Sequence, residues 1–140
     1  LAEAIEKARE RIRNDAPFLR RAGMLAYLDE LIAGVDTKEE LEAEMAAPFN
    51  IVADWAAKYG VDPANIILGE FGMIRQEYQN PDVMPAEWRA AYMRDMIAQA
   101  EERGFSWSIW GYGGAFGIVE EFGGHRAEDD VLRMIGELKN

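Results

Sequence analysis

Only two segments of the chain read as β-strands, and each is followed by a helix. "IILG", residues 66–69, is short, β-branched at its start and free of polar residues, the pattern of a strand buried on both faces in a parallel sheet. "FSWSIWGYGG", residues 105–114, reads as a second strand rich in aromatics. Between them, "NPDVMPAEWRAAYMRDMIAQAEERG" has Pro85 near a helix start and Gly104 just past its end. Trp88, Ala91, Tyr92, Met96 and Ala100 fall there at helical spacing. After the second strand a loop runs to about Arg126, and "AEDDVLRMIGELK" reads as a last helix with Asp129 and Asp130 in its early turns. Strand–helix units in succession imply parallel strands joined by right-handed crossovers.

Two parallel strands do not make a stable sheet, and their edges would be bare. A closed barrel of such units needs eight strands and about 250 residues, whereas this chain has 140. Three arrangements satisfy the constraint: the chain is part of a larger barrel, another chain completes its sheet, or copies complete one another. The first residue is Leu1 rather than methionine, so the chain is expected to be a piece of something longer.

The region before the first strand is expected to be helical. "LAEAIEKARERIRN" places Ala4, Ile5, Ala8 and Ile12 on one face. Asp15 and Pro17 suit the start of a second helix, with Leu19, Ala22, Leu25, Leu28, Leu31 and Ile32 on one side and Gly34 as its stop. In the third, Asp36 or Thr37 can cap, Glu39 or Glu40 can close a capping box, and Gly60 ends the run. Pro48 should break or kink this helix. The expected organisation is therefore α/β, mainly helical over residues 1–60 and two strand–helix units over 61–140.

Composition narrows the chemistry. The chain is 49% hydrophobic and 29% charged, so it is globular. With no cysteine it has no disulfide, thiolate metal site or thiol nucleophile. A net charge of −11 opposes nucleic acid, and the densest basic stretch, "KARERIRNDAPFLRR", alternates with acids as a solvated helix face does. No apolar run approaches the roughly 20 residues of a membrane span, so neither a nucleic-acid nor a membrane partner is expected. "GYGGAFG", residues 111–117, imitates a dinucleotide loop, but "IVEEFGGHRAED" after it starts no helix to meet a pyrophosphate. His125 is the only histidine and sits in a polar loop without ligand spacing. No metal and no cofactor are expected. Of the adjacent Glu120 and Glu121, at most one can face a site.

Glu70 is the notable residue. Reactive groups of strand–helix barrels sit just beyond the carboxyl ends of the strands, and Glu70 follows the most apolar run of the chain, in "NIILGEFGMIRQEY". It can act as nucleophile or acid–base group, or it can pair with an arginine such as Arg75 and hold a loop. Trp107 and Trp110, three apart, point to opposite faces of a regular strand. One can fill the strand–helix layer while the other reaches the rim, where an indole face suits the axial C–H groups of a sugar.

"ILGEFG", then a helix, then "FSWSIWGYGGAFGI" resembles the seventh and eighth strand–helix units of a (β/α)8 TIM barrel of glycoside hydrolase family 5, cellulase (endo-β-1,4-glucanase) type. The resemblance covers about residue 50 to the C-terminus and is vaguer over the first three helical segments. It implies that Glu70 is the nucleophile of a retaining mechanism, that Trp110 stacks on the sugar beside the cleavage point, and that Tyr112 and Arg75 line the cleft. It implies a β-glucan substrate, an N-terminal remainder of the barrel as partner, and a secreted or periplasmic setting. The family's acid/base glutamate follows an asparagine, and this chain has no such element; its one Asn-Pro is the "NPD" of a loop. The 140-residue chain alone is therefore expected to be inactive. The alternative is a non-catalytic partial barrel that binds sugar or a partner chain.

Overall fold

The computed structural model describes residues 2–35, 37–126 and 128–137, in two units, Leu1–Pro48 and Phe49–Asn140. In the first unit, α1 (Ala2–Asp15) pairs with α2 (Phe18–Ile32). The stripe Ala4, Ile5, Ala8 and Ile12 is the half-buried face of α1. An Arg9–Asp29 contact of 2.8 Å ties the two helices, and Gly34, at φ +83°, lets the chain leave α2. The apolar side expected of α2 is only partly covered: Leu25, Leu28 and Ile32 are half-buried, while Leu19 is 93% and Leu31 56% exposed.

Helix α3 (Lys38–Tyr59) starts with a capping box. The Glu40 N–H donates to Thr37 Oγ1 at 3.2 Å, and the Thr37 N–H donates to Glu40 Oε2 at 3.1 Å. Asp36, the other cap candidate, lies outside the described residues. Replacing Thr37 by alanine is expected to cost about 1 kcal/mol, read as a lowered thermal transition by circular dichroism; an unchanged transition would show that the cap holds nothing. Against the expectation of a break at Pro48, α3 runs without interruption through it. A proline forfeits one N–H bond, here to the carbonyl of Glu44, but its fixed φ is helical, so the turns on either side carry the helix through.

The second unit holds the sheet. A single 3-10 turn, Pro63–Asn65, is capped by Asp62, whose Oδ1 accepts from the Ala64 N–H at 3.0 Å. It delivers the chain into β1 (Ile67–Phe71), followed by α4 (Ala86–Glu101), β2 (Ser106–Ile109) and α5 (Asp129–Glu137). The strands are parallel, with Ile67 opposite Ser106, Leu68 opposite Trp107 and Phe71 opposite Ile109. Three steps along β1 thus match two along β2, so Gly69 and Glu70 form a bulge.

One face of this sheet is covered. Phe71 packs with Ala90, Met93 and Ile97 of α4 and with Val131 and Met134 of α5. Met93, Ile97 and Val131 are fully buried, each worth about 1.5–3 kcal/mol. A smaller cluster joins Phe49, Ala100 and Phe105 at the other end. The expectation of strands buried on both faces is corrected here: Ile67 is 61% exposed, and Gly69 and Glu70 are exposed. Helices α4 and α5 cover one side of the two strands, and the other side, with Ile67, Ser106 and Ser108, is exposed.

The buried line of α4 also departs from expectation. It runs through Arg89, Ala90, Met93, Ile97 and Ala100, while Trp88 is 51% exposed. A fully buried arginine occupies this row, one residue along from the expected Trp88.

Candidate active site

Glu70 is carried by the bulge at the carboxyl end of β1. A bulge adds a residue to one strand and re-aims the side chains beside it; here it leaves Glu70 exposed while the next residue, Phe71, is buried under α4. No hydrogen bond or ion pair joins the Glu70 carboxylate to another described residue. Trp110 follows β2 directly and is 55% exposed, its peptide bond to Gly111 being cis. Trp107 fills the strand–helix layer and donates its Nε1–H to Glu101 Oε1 at 3.0 Å. The two tryptophans therefore divide as their spacing allows: one in the core, one at the rim.

Glu70 and Trp110 border one open cleft of about 370 Å³. Phe71 and Gly72 continue its wall from β1, Phe116 closes it from the loop after β2, and Tyr92 and Met96 of α4 form its base. The cleft sets one carboxylate among aromatic and apolar groups. Tyr112, two residues beyond Trp110, is 65% exposed and does not line this cleft. Arg75 does not line it either, and it does not hold Glu70: its guanidinium meets Glu121 through Nη2 and Glu128 through Nε, the latter at 2.6 Å. Of the adjacent pair, Glu121 turns to Arg75, while Glu120 is exposed and bridges Arg126 through its backbone.

The loops after the two strands are stitched together. The Trp110 N–H donates to the Phe71 carbonyl at 2.7 Å, and the Arg75 N–H to the Ala115 carbonyl at 2.7 Å. Gly72 lies so close to the Trp110 carbonyl that a Cβ on it would sit 2.1 Å from that oxygen. Beneath the stitching lies Arg89. Its Nε donates to the Met73 carbonyl at 3.1 Å, and its Nη2 to the carbonyls of Phe116 and Gly117 at 3.1 and 3.0 Å. Its Nη1 donates to Glu128 Oε2 at 2.5 Å. Burial pulls the Arg89 guanidinium below its ordinary value, and Glu128 opposes that shift. Arg75, Arg89, Glu121 and Glu128 form a closed set of two cations and two anions. Breaking a buried pair of this kind by removing one partner costs about 3–5 kcal/mol.

Arg89, Glu128 and Gly72 were not singled out by sequence. The available signal was register: Arg89 lies one turn before Met93 and two before Ile97, on the buried line. "GYGGAFG" forms a loop with a three-residue 3-10 turn, Gly114–Phe116, and begins no α-helix. His125 is exposed. Among the described residues no group of three or more His, Asp or Glu side chains is placed to hold a metal ion, and no helix is long and apolar enough to cross a membrane.

No protein-family model matches this chain, and no curated protein does. Solved structures do. The chain is similar to a hyperthermophilic endo-β-1,4-glucanase in complex with substrate, with a TM-score of 0.53 and 26% identity over 71% of this chain. A second structure, described as an endoglucanase, matches with the same TM-score, identity and coverage. This chain spans 29% of the length of each of those structures. The likeness supports a relationship to glycoside hydrolases of the cellulase kind.

Proposed function

We propose that this chain is the C-terminal share of a retaining β-1,4-glucan hydrolase of glycoside hydrolase family 5, supplying the nucleophile and an aromatic sugar platform. Its two strand–helix units stand as the seventh and eighth of a (β/α)8 barrel. The observation that carries the reading is the placement of Glu70: exposed, on a bulge at the carboxyl end of β1, sharing a cleft with Trp110. The endoglucanase neighbours support it. So does the uncovered sheet face, where Ile67 lies open and where the remaining strands of a barrel would pack.

In this reading a Glu70 carboxylate oxygen attacks the anomeric carbon of the sugar lying on Trp110. The C–O bond to the leaving chain breaks, and a second carboxyl group, from the N-terminal remainder of the barrel, protonates the departing oxygen at about 5–5.5 Å from the first. Water, deprotonated by that same second group, then releases the sugar from Glu70. Tyr112, exposed beyond Trp110, contacts the glucan further along. Arg75 serves the cleft through Glu121 and Glu128, by fixing its loop.

The test is covalent trapping. A 2-deoxy-2-fluoro cellobioside with an activated leaving group, given to the full-length protein, is expected to leave one sugar adduct on the peptide containing Glu70. An adduct on another residue would remove the assignment. The 140-residue chain alone is expected to show no turnover of an aryl β-cellobioside, since among the described residues Glu70 is the only carboxylate lining the cleft and none is left to protonate the leaving oxygen.

A further inference from the structure

We infer that Arg89 is a positioning residue that sets the separation of Glu70 and Trp110. This rests on the reading of Glu70 as nucleophile. Arg89 lies on α4, yet none of its acceptors does. Met73 belongs to the loop after β1, Phe116 and Gly117 to the loop after β2, and Glu128 directly precedes α5. Phe116 presents its side chain to the cleft while its carbonyl is held by Arg89 from beneath. Met73 stands three residues after Glu70. One rigid, planar guanidinium thus spans both segments that carry the site.

A structural duty alone explains this poorly. Met93 and Ile97 continue the same buried line as apolar residues, and an apolar side chain of similar volume in place of a buried ion pair is often neutral or stabilising for folding. What an apolar residue cannot supply is a fixed fork of donors to carbonyls of two different loops. Glu128 completes the device by joining Arg89 to Arg75, whose own backbone N–H is bonded to Ala115.

The experiment uses the full-length protein and the rate of covalent labelling at Glu70, measured well below each variant's unfolding temperature. Arg89→Met, Arg89→Lys and Glu128→Gln are compared with Met93→Ala, a core truncation one turn away. Arg89→Met and Glu128→Gln are expected to lower the maximal labelling rate by about ten- to a hundredfold, the effect of moving a reacting group by a fraction of an ångström to one ångström. Arg89→Lys, which keeps the charge and loses the fork, is expected to fall between them and the parent. Met93→Ala is expected to lose stability and to label within about twofold of the parent, since Met93 does not line the cleft and holds none of the loop carbonyls that Arg89 bonds. Equal maximal rates for Glu128→Gln and Met93→Ala would overturn the inference, even if Arg89→Met fails to fold. If the parent protein labels elsewhere than Glu70, the underlying reading falls and takes this one with it; if the parent labels at Glu70 and all variants match it, only the positioning role falls.

Discussion

Replacing Glu70 by glutamine in the full-length protein is expected to lower kcat on β-1,4-glucan by about 10⁴- to 10⁶-fold, the range seen when a covalent nucleophile is removed. Glutamine keeps the size of the side chain and loses the anionic oxygen, so the bond to the anomeric carbon does not form. In the 140-residue chain the unfolding temperature is expected to stay where it is, because Glu70 is exposed there and bonded to no other described residue. Sugar binding is expected to persist as well, since Trp110 is untouched and stacking does not require the carboxylate. Glu70→Ala gives a sharper version of the same test. The truncated side chain leaves room for azide, which can attack the anomeric carbon from the vacated face while the protonated leaving group departs, giving a glycosyl azide of inverted configuration. A residue that merely held a loop would be rescued by no small anion. Retention of more than about one hundredth of the parent activity in Glu70→Gln would exclude it as nucleophile.

The parts of the site legible in the sequence are those set by neighbours along the chain. Glu70 stood out because a short apolar run ends in Gly-Glu, and a run of that kind has a rim. The capping box of Thr37 and Glu40 was legible for the same reason, both partners lying within one turn. Trp107 and Trp110 could be divided between core and rim by spacing, although not assigned. Arg89 was opaque for two reasons. Apolar periodicity counts residues that avoid water and passes over a charge, and the groups that make Arg89 tolerable in the core lie 16 to 39 positions away. The bulge under Glu70 was equally hidden, since it exists only in the register of β1 against β2. The uncovered sheet face marks a different boundary. The run "IILG" carries the pattern of a strand buried on both sides, while the fold of these 140 residues covers one. The pattern of the run therefore asks for more cover than the described residues give it.

Replacing Gly72 by alanine is expected to destabilise the protein by about 3 kcal/mol and to slow labelling of Glu70 by about a hundredfold. The added Cβ would lie 2.1 Å from the Trp110 carbonyl oxygen, 3.3 Å from its carbonyl carbon and 3.5 Å from Phe116 Cδ1. The obstacle is main chain, so no rotamer relieves it. The Trp110 N–H is already bonded to the Phe71 carbonyl at 2.7 Å, which means that the two strand ends must part by roughly an ångström and weaken that bond to admit a methyl group. Glu70 is two residues from the added group and Trp110 is the residue struck, so the displacement falls on both sides of the cleft at once. Gly69→Ala is the matched control. It stands next to Glu70 in the same bulge, but a Cβ there meets nothing within 4 Å, and it is expected to leave stability within about 1 kcal/mol of the parent. Thermal unfolding and labelling of the two variants side by side separate the loss of a flexible residue, common to both, from the loss of close approach, present only at Gly72. Equal stability and equal labelling in the two would mean that the contact between the strand ends does not set the geometry of the site, and that the placement of Glu70 beside Trp110 must be held from the uncovered face of the sheet.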